Sequence, residues 1–337
     1  MALTEMGADR RRIGAVRLRT RRLLWSLACV AFAVPVLAFD LQGHRGARGL
    51  APENTLAAFR LALDIGVTTL ETDLGVTRDG VLVLSHDPYL NPDLVRGPDG
   101  RWLAERGAAL HTLTLAELKR YDIGRLNPEA AYAKQWPQQR ATDGEHPAAL
   151  VELFDLIKSS GKSVRLNLET KLTPESGSAT PDPLAFARLV VDTVRASGMA
   201  ERVTVQSFDW RTLRHVNAVA PEIKTACLTI ESENFDTVQR KTGAPSPWHA
   251  GGNLADHAGS LPKLVHASGC RTWSMFWRNL TQADLAEARV LRLTVLPWTV
   301  NDPAEMARLI DWGVDGIITD YPDRLRAVMA EKKLPLP

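Results

Sequence analysis

The sequence predicts an α/β chain folded as a (β/α)8 TIM barrel with an insertion after the second strand. Three observations carry that prediction. After residue 40, short runs rich in β-branched and apolar residues alternate with helical periodicity, strand first, eight times over about 300 residues, and such alternation signals a parallel sheet. The turn after the first strand, "GHRGARG", is not the G-x-G-x-x-G of a dinucleotide-binding sheet, which leaves an open doubly wound sheet as the runner-up. Acids, histidines and amides gather at the ends of the predicted strands, where the chemistry of a barrel sits.

Residues 1–38 stand apart from this rhythm. Seven Arg fall between Arg10 and Arg22, and the apolar run "LLWSLACVAFAVPVLA" follows. A basic stretch, a short apolar core and a small-residue exit describe a secretory signal peptide. The run is short for a membrane span and contains a Pro. "TRRLLW" loosely matches a twin-arginine signal, and Cys29 is a poor lipoprotein site because the apolar run continues past it. The leader carries +7 and −2, and the whole chain +2, so residues 39–337 carry +2 − 5 = −3. A nucleic-acid partner therefore has no support, and the mature protein is expected to be exported, periplasmic or secreted, without a stable membrane span.

The remaining elements follow in order, as a single domain over 39–337. A strand at 41–45 leads through the glycine-rich turn to a helix over 54–65, started by Pro-Glu-Asn-Thr. A strand at 69–76 follows. The rhythm then breaks over 77–147: "TRDGVLVLSH" reads as a hairpin with Asp-Gly at its turn. A Pro/Gly/Asn-rich stretch with a short helix near 114–120 makes an insertion over about 87–147. Helix 148–160 precedes strand 164–170 and helix 183–197. Strand 202–207 pairs with helix 209–219. Strand 224–230 is followed by a long loop, 243–260, of the kind that often serves function, then helix 261–268. Strand 272–277, helix 281–291, strand 293–299, helix 302–312, strand 316–319 and helix 322–332 complete the series.

Glu71 and Asp73 are one residue apart on the second strand, so both face the barrel interior. Side by side in a low-dielectric interior they repel each other unless something positive lies between them. Glu169, on the next parallel strand, supplies a third hard oxygen donor. Such a set suits Mg²⁺ or Ca²⁺, and the absence of Cys argues against a softer metal. The alternative is an ionic core in which these acids pair with Arg45 and Lys171. His44 and His86, at strand ends beside the acids, are the natural acid and base, because imidazole titrates near neutral pH. Arg45 can hold two phosphoryl oxygens in a fork and Lys171 adds a point charge. Together this is equipment for phosphoryl transfer. Glu53 is expected to fix the first turn or to touch the metal site. The other six His are weaker candidates; His249 and His257 lie in the long loop. Cys227 and Cys270 could pair or could be two buried thiols.

These residues together resemble the glycerophosphodiester phosphodiesterase family. The resemblance rests on "HRG…PENT", "ETDLGVTRDGVLVLSHD", "LNLETK", "QSFD", "PWTVND" and "GVDGIITDYP", and runs from about residue 41 to 326. It implies a barrel with an insertion after the second strand and metal-dependent hydrolysis of glycerophosphodiesters to glycerol 3-phosphate and an alcohol. It implies His44 and His86 as the catalytic pair, Glu71, Asp73 and Glu169 as ligands, and Arg45 and Lys171 as phosphoryl binders. Gln206 and Trp298 would line the substrate pocket. Many members follow the His-Asp motif with Arg-Thr-Thr; here the chain reads "HDPYLNPDLVRGPDGRW", which bears on the choice of alcohol. A second reading keeps barrel and metal but takes lysophospholipids or sphingolipid-type diesters, with Trp248, Trp273 and Trp277 as an apolar rim rather than packing residues. A third, a non-catalytic phosphate-ester binder, is disfavoured by the intact His pair.

Overall fold

The computed structural model describes residues 39–337; the expected signal segment lies outside the described residues. Eight parallel strands make the sheet: β1 (Asp40–Gly43), β2 (Thr69–Val76), β4 (Arg165–Thr170), β5 (Val203–Ser207), β6 (Lys224–Thr229), β7 (Thr272–Met275), β8 (Thr294–Val295) and β9 (Gly316–Thr319). β3 (Leu82–Leu84) pairs antiparallel with β2. The strand order is β8-β7-β6-β5-β4-β2-β1-β9. Three backbone hydrogen bonds join the ends of that order: Asp315 N to Val295 O, Ile318 N to Pro297 O and Val300 N to Ile318 O. They curl the sheet into a barrel, so the open-sheet alternative is set aside.

Local chemistry places the helices. α1 (Leu56–Ile65) starts where the Thr55 side chain accepts from Ala58 N, and it stops at Gly66. α4 (Pro183–Ala196) and α8 (Pro303–Trp312) each follow an Asp N-cap with Pro in the first turn, where a missing N–H costs nothing. The other helices that follow barrel strands are α3 (Leu150–Ser160), α5 (Trp210–Val219), α6 (Leu261–Ala267), α7 (Gln282–Val290) and α9 (Pro322–Glu331), while α2 (Leu115–Leu118) is a single turn. Every residue of β2 is buried, as expected for a strand packed on both sides. Its Leu70 and Leu74 join the main core with Phe59, Phe154 and Phe186.

Two strand predictions are corrected. The first strand ends at Gly43, so His44 and Arg45 lie in the turn beyond it. The strand expected at 293–299 is regular only over Thr294–Val295. Pro297 has no N–H for the β9 side and ends the regular ladder. Leu296 N and Trp298 N still donate to Trp273 O and Met275 O.

From β3 onward to α3 the chain builds its own small cluster of Val83, Leu90, Val95, Leu110 and Leu118. The stretch then returns across the β1 turn. Arg140 N donates to Leu50 O and Gln139 Nε2 to Arg48 O. Cys227 and Cys270 form a disulfide, with Cα atoms 5.9 Å apart, which decides between the two open readings of that pair.

Candidate active site

Register builds the acidic cluster. Asp73 of β2 lies opposite Glu169 of β4, and Glu169 opposite Gln206 of β5. Glu71 is two residues before Asp73 on the same strand face. Glu71, Asp73 and Glu169 are all buried, and each offers an oxygen within 4.8 Å of the others.

Electrostatics follow from that crowding. Burial, then Asp73 and Glu169, pushes Glu71 well above the ordinary carboxylate range. Burial alone would raise Asp73 too, but Arg45, His86 and Lys171 outweigh it and hold Asp73 below that range. One oxygen of Asp73, Oδ1, is buried without a hydrogen-bond partner. A buried carboxylate oxygen without a donor is costly. Three converging hard donors, one of them orphaned, suit a hard divalent cation such as Mg²⁺ or Ca²⁺.

The β1 turn presents the cations. Arg45 and Gly46 both take positive φ, 50° and 86°. At Gly46 a Cβ would come within 2.8 Å of the Ala58 backbone, so only glycine fits. The strained Arg45 backbone is held by its N–H, which donates to Glu71 Oε2 at 2.9 Å. Arg45 Nη1 donates to Glu53 Oε1 at 2.6 Å, and its Nε lies 3.0 Å from Asp73 Oδ2 without hydrogen-bond alignment. Glu53 therefore fixes the turn through Arg45. Asn54 completes the shell, donating to Asp73 Oδ2 at 3.0 Å and accepting from Thr72 Oγ1. Lys171 Nζ donates to Glu169 Oε1 at 2.7 Å and lies 3.7 Å from Asp73 Oδ1. Burial would lower the ammonium, but Glu169 and Asp73 overcome this and keep it charged.

His44 and His86 face one cavity of about 200 Å³, together with Arg45, Glu71, Glu169 and Lys171. His44 Nδ1 is 2.7 Å from Asp320 Oδ1, and its Nε2 is 3.8 Å from Glu71 Oε2. Burial and then Arg48 depress His44 to about 4, against the pull of Asp320. The imidazole is thus neutral at pH 7, with its Nδ1 proton on Asp320 and its Nε2 lone pair toward the cavity. His86 is a third exposed, and its Nδ1 pairs with Asp87 Oδ1 at 2.9 Å; Asn91 holds the other Asp87 oxygen at 2.6 Å. Gln206 Nε2 donates to Glu71 Oε1 at 2.9 Å, and Trp298 forms part of the cavity wall.

In the sequence Asp320 stands out only as an acid at the end of the last predicted strand, and Arg48 and Tyr132 do not stand out at all. Arg48 Nε and Nη2 fork onto Asp320 at 2.8 and 3.1 Å, and Asn301 Nδ2 donates to its Oδ2 at 2.7 Å. The Tyr132 hydroxyl donates to Glu53 Oε2. A carboxylate one residue beyond β9, beside the strand that starts the barrel, was the available signal for Asp320. Of the loop residues, His249 is buried and stacked on Trp210, ring centroids 4.2 Å apart, and does not line the cavity. Trp273 is a core residue whose Nε1 donates to Thr229, and Trp277 packs against the core.

The glycerophosphoryl diester phosphodiesterase family model matches residues 44–324. A glycerophosphodiester phosphodiesterase of Caldanaerobacter subterraneus subsp. tengcongensis is 26% identical over 282 residues, covering 84% of this chain and 94% of that one. Among solved structures, a candidate glycerophosphoryl diester phosphodiesterase from Silicibacter pomeroyi is 32% identical with TM-score 0.78, over 90% of this chain and 96% of that one. An Oleispira antarctica phosphodiesterase, solved with its product sn-glycerol-3-phosphate, shares the fold at 23% identity and TM-score 0.63, over 87% and 97% of the two chains. The chain is a phosphoric diester hydrolase and belongs to the glycerophosphoryl diester phosphodiesterase family.

Proposed function

We propose that the chain is an exported, divalent-metal-dependent enzyme that hydrolyses glycerophosphodiesters to glycerol 3-phosphate and an alcohol, with His44 as base and His86 as acid. The observation that carries this is that both imidazoles line one cavity with Glu71 and Glu169, two of the three buried carboxylates whose oxygens converge. Glu71, Asp73 and Glu169 would hold the ion, which when bound supplies Lewis-acid stabilisation of charge on phosphoryl oxygens. Arg45 and Lys171 place two further positive charges on the cavity wall, where phosphoryl charge develops. Asp320 fixes the His44 tautomer, so that Nε2 takes the proton of the attacking hydroxyl. His86, partly open to solvent, gives a proton to the departing alkoxide. The step leaves His44 with the proton it took and His86 without the one it gave, and proton exchange with solvent restores both before the next turnover.

Export is supported by the basic and apolar character of residues 1–38 and by the disulfide, a bond kept in oxidising compartments. Among the described residues no helix is long and apolar enough to cross a membrane. The test is glycerol 3-phosphate release from glycerophosphocholine and glycerophosphoethanolamine by the mature chain, with Mg²⁺ or Ca²⁺ against EDTA. Release that needs metal and is lost in His44→Ala is expected. Undiminished release in EDTA, or full activity in His44→Ala, overturns the mechanism.

A further inference from the structure

The polar cavity opens into a second one of about 400 Å³, and the two share His86, Glu169, Lys171, Phe208 and Trp298 as a common wall. Beyond that wall the larger cavity is lined mainly by apolar residues, with Asp87, Thr173 and Ser176 as its polar members. Four rings meet edge to face along it: Trp298 with Phe208 (5.3 Å), Phe208 with Phe235 (5.3 Å) and Phe235 with Trp248 (5.5 Å). Leu172 and Ile230 add aliphatic surface. Nothing in the chemistry of the polar cavity requires this surface. An apolar cavity beside a charged one takes hydrocarbon.

Its position chooses the arm of the diester. His44, Arg48 and Glu71 line the small cavity alone, while His86 lines both. The group that leaves from the His86 side therefore has the aromatic cavity ahead of it. A quaternary ammonium is the other ligand that aromatic walls hold: Lys171 Nζ, 5.9 Å from the centre of the Phe208 ring, repels it, while Asp87 and Glu169 on the same lining attract it, and the extent of ring and aliphatic surface favours the hydrocarbon.

We propose that the aromatic cavity binds a hydrocarbon chain carried by the departing alcohol, so that the substrates of this chain include glycerol 3-phosphate diesters of apolar, single-chain alcohols. The inference rests on the assignment of His86 as the acid. In the reaction the phosphorus–oxygen bond to the alcohol breaks. Water supplies the new phosphorus–oxygen bond, and through the two imidazoles the alcohol leaves with a proton.

The test uses the mature, disulfide-bonded enzyme with Mg²⁺ or Ca²⁺ and a series of glycerophospho-n-alkyl esters, ethyl to octyl, read as glycerol 3-phosphate release. kcat/KM should climb with chain length, by up to about fourfold for each methylene buried. Phe235 is partly exposed at the edge of the wall, so Phe235→Ser should fold, keep ethyl-ester turnover and flatten the climb. A parallel series of short-chain 1-acyl-glycerophosphocholines, read as choline release, carries its chain on the retained arm and should show no climb. A flat alkyl series with an active ethyl ester overturns the cavity assignment. An unaltered climb in Phe235→Ser overturns its location, and a climb confined to the acyl series overturns the choice of arm. If neither the ethyl ester nor glycerophosphocholine is hydrolysed, the proposed function itself fails, and this inference with it.

Discussion

Asp320 holds His44 and Arg48 on one carboxylate: Oδ1 is 2.7 Å from His44 Nδ1 and 2.8 Å from Arg48 Nε. Burial would raise this acid, but Arg48 and His44 outweigh it and keep it ionised, below the usual range. An ionised acceptor fixes the imidazole tautomer, while burial and then Arg48 prevent the same acid from drawing His44 into its charged form.

Asp320→Asn should therefore act on turnover rather than on substrate binding. The amide leaves Arg48 facing no anion and no longer dictates which ring nitrogen carries the proton. kcat should fall by about 10²-fold, within the span of general base catalysis, with KM nearly unchanged. Steady-state kinetics on glycerophosphocholine check this, and a variant whose loss is all in KM contradicts it.

The pH dependence has a definite sign. His44 must be neutral to accept a proton, and its value is lowered from 6.5 to about 4. The acid limb of kcat/KM should thus lie near pH 4 rather than near 6.5. Stability follows the same linkage. His249 is also lowered to about 4, by burial against a smaller opposing effect of Asp236. Between pH 6.5 and 4 the unfolded chain binds protons at both sites that the folded chain refuses, so stability falls as pH falls through that window. Each site contributes roughly 2–3 kcal/mol by pH 4.5. His249→Phe keeps a ring on Trp210 and removes one titrating site, together with the partnerless Nε2. Denaturant melts at pH 7 and 4.5 should show a smaller loss in the variant; an equal loss would assign the acid sensitivity elsewhere.

Much of this site was legible because strand geometry is simple. A spacing of one residue puts Glu71 and Asp73 on one face, and a neighbouring strand brings Glu169. What was not legible depends on closure. Asp320 meets His44 across 276 residues because β9 pairs with β1, a neighbour relation that no local period encodes. Tyr132 reaches Glu53 from a stretch of irregular backbone, whose path propensity does not specify. Trp248, Trp273 and Trp277 look alike in a sequence, yet the first lines the aromatic cavity and the second is sealed in the core. Burial is set by what the rest of the chain packs around a residue, and ring chemistry alone does not carry it.

The disulfide should be structural. It closes a loop of sequence separation 43, for which chain-entropy arguments give about 4 kcal/mol of stabilisation. Both cysteines are buried and neither lines the polar cavity. Cys227→Ala with Cys270→Ala should lower the denaturation midpoint and leave kcat at 25 °C unchanged while the chain stays folded. Equal midpoints for the double variant and the parent would show that the link contributes nothing to stability.

The acidic triad makes the last prediction, because it opposes folding when it stands alone. Glu71 is pushed far upward by burial and by Asp73 and Glu169. A carboxyl whose folded value lies above its unfolded one contributes stability only while protonated, and loses it as pH rises through the folded value. The crowding of the metal-free triad is thus a cost that a bound cation relieves. Adding Mg²⁺ or Ca²⁺ to EDTA-treated enzyme should raise the melting temperature, with about 2.7 kcal/mol of added stability at 100 times the dissociation constant. Glu71→Gln removes the ionisable carboxyl while keeping the shape of the side chain. The variant should melt higher than the parent in EDTA and gain far less from metal, so the two melting curves approach each other as the cation is added. A parent that is indifferent to both cations, or a variant less stable than the parent in EDTA, would show instead that Arg45 and Lys171 already balance the three carboxylates as an ionic core.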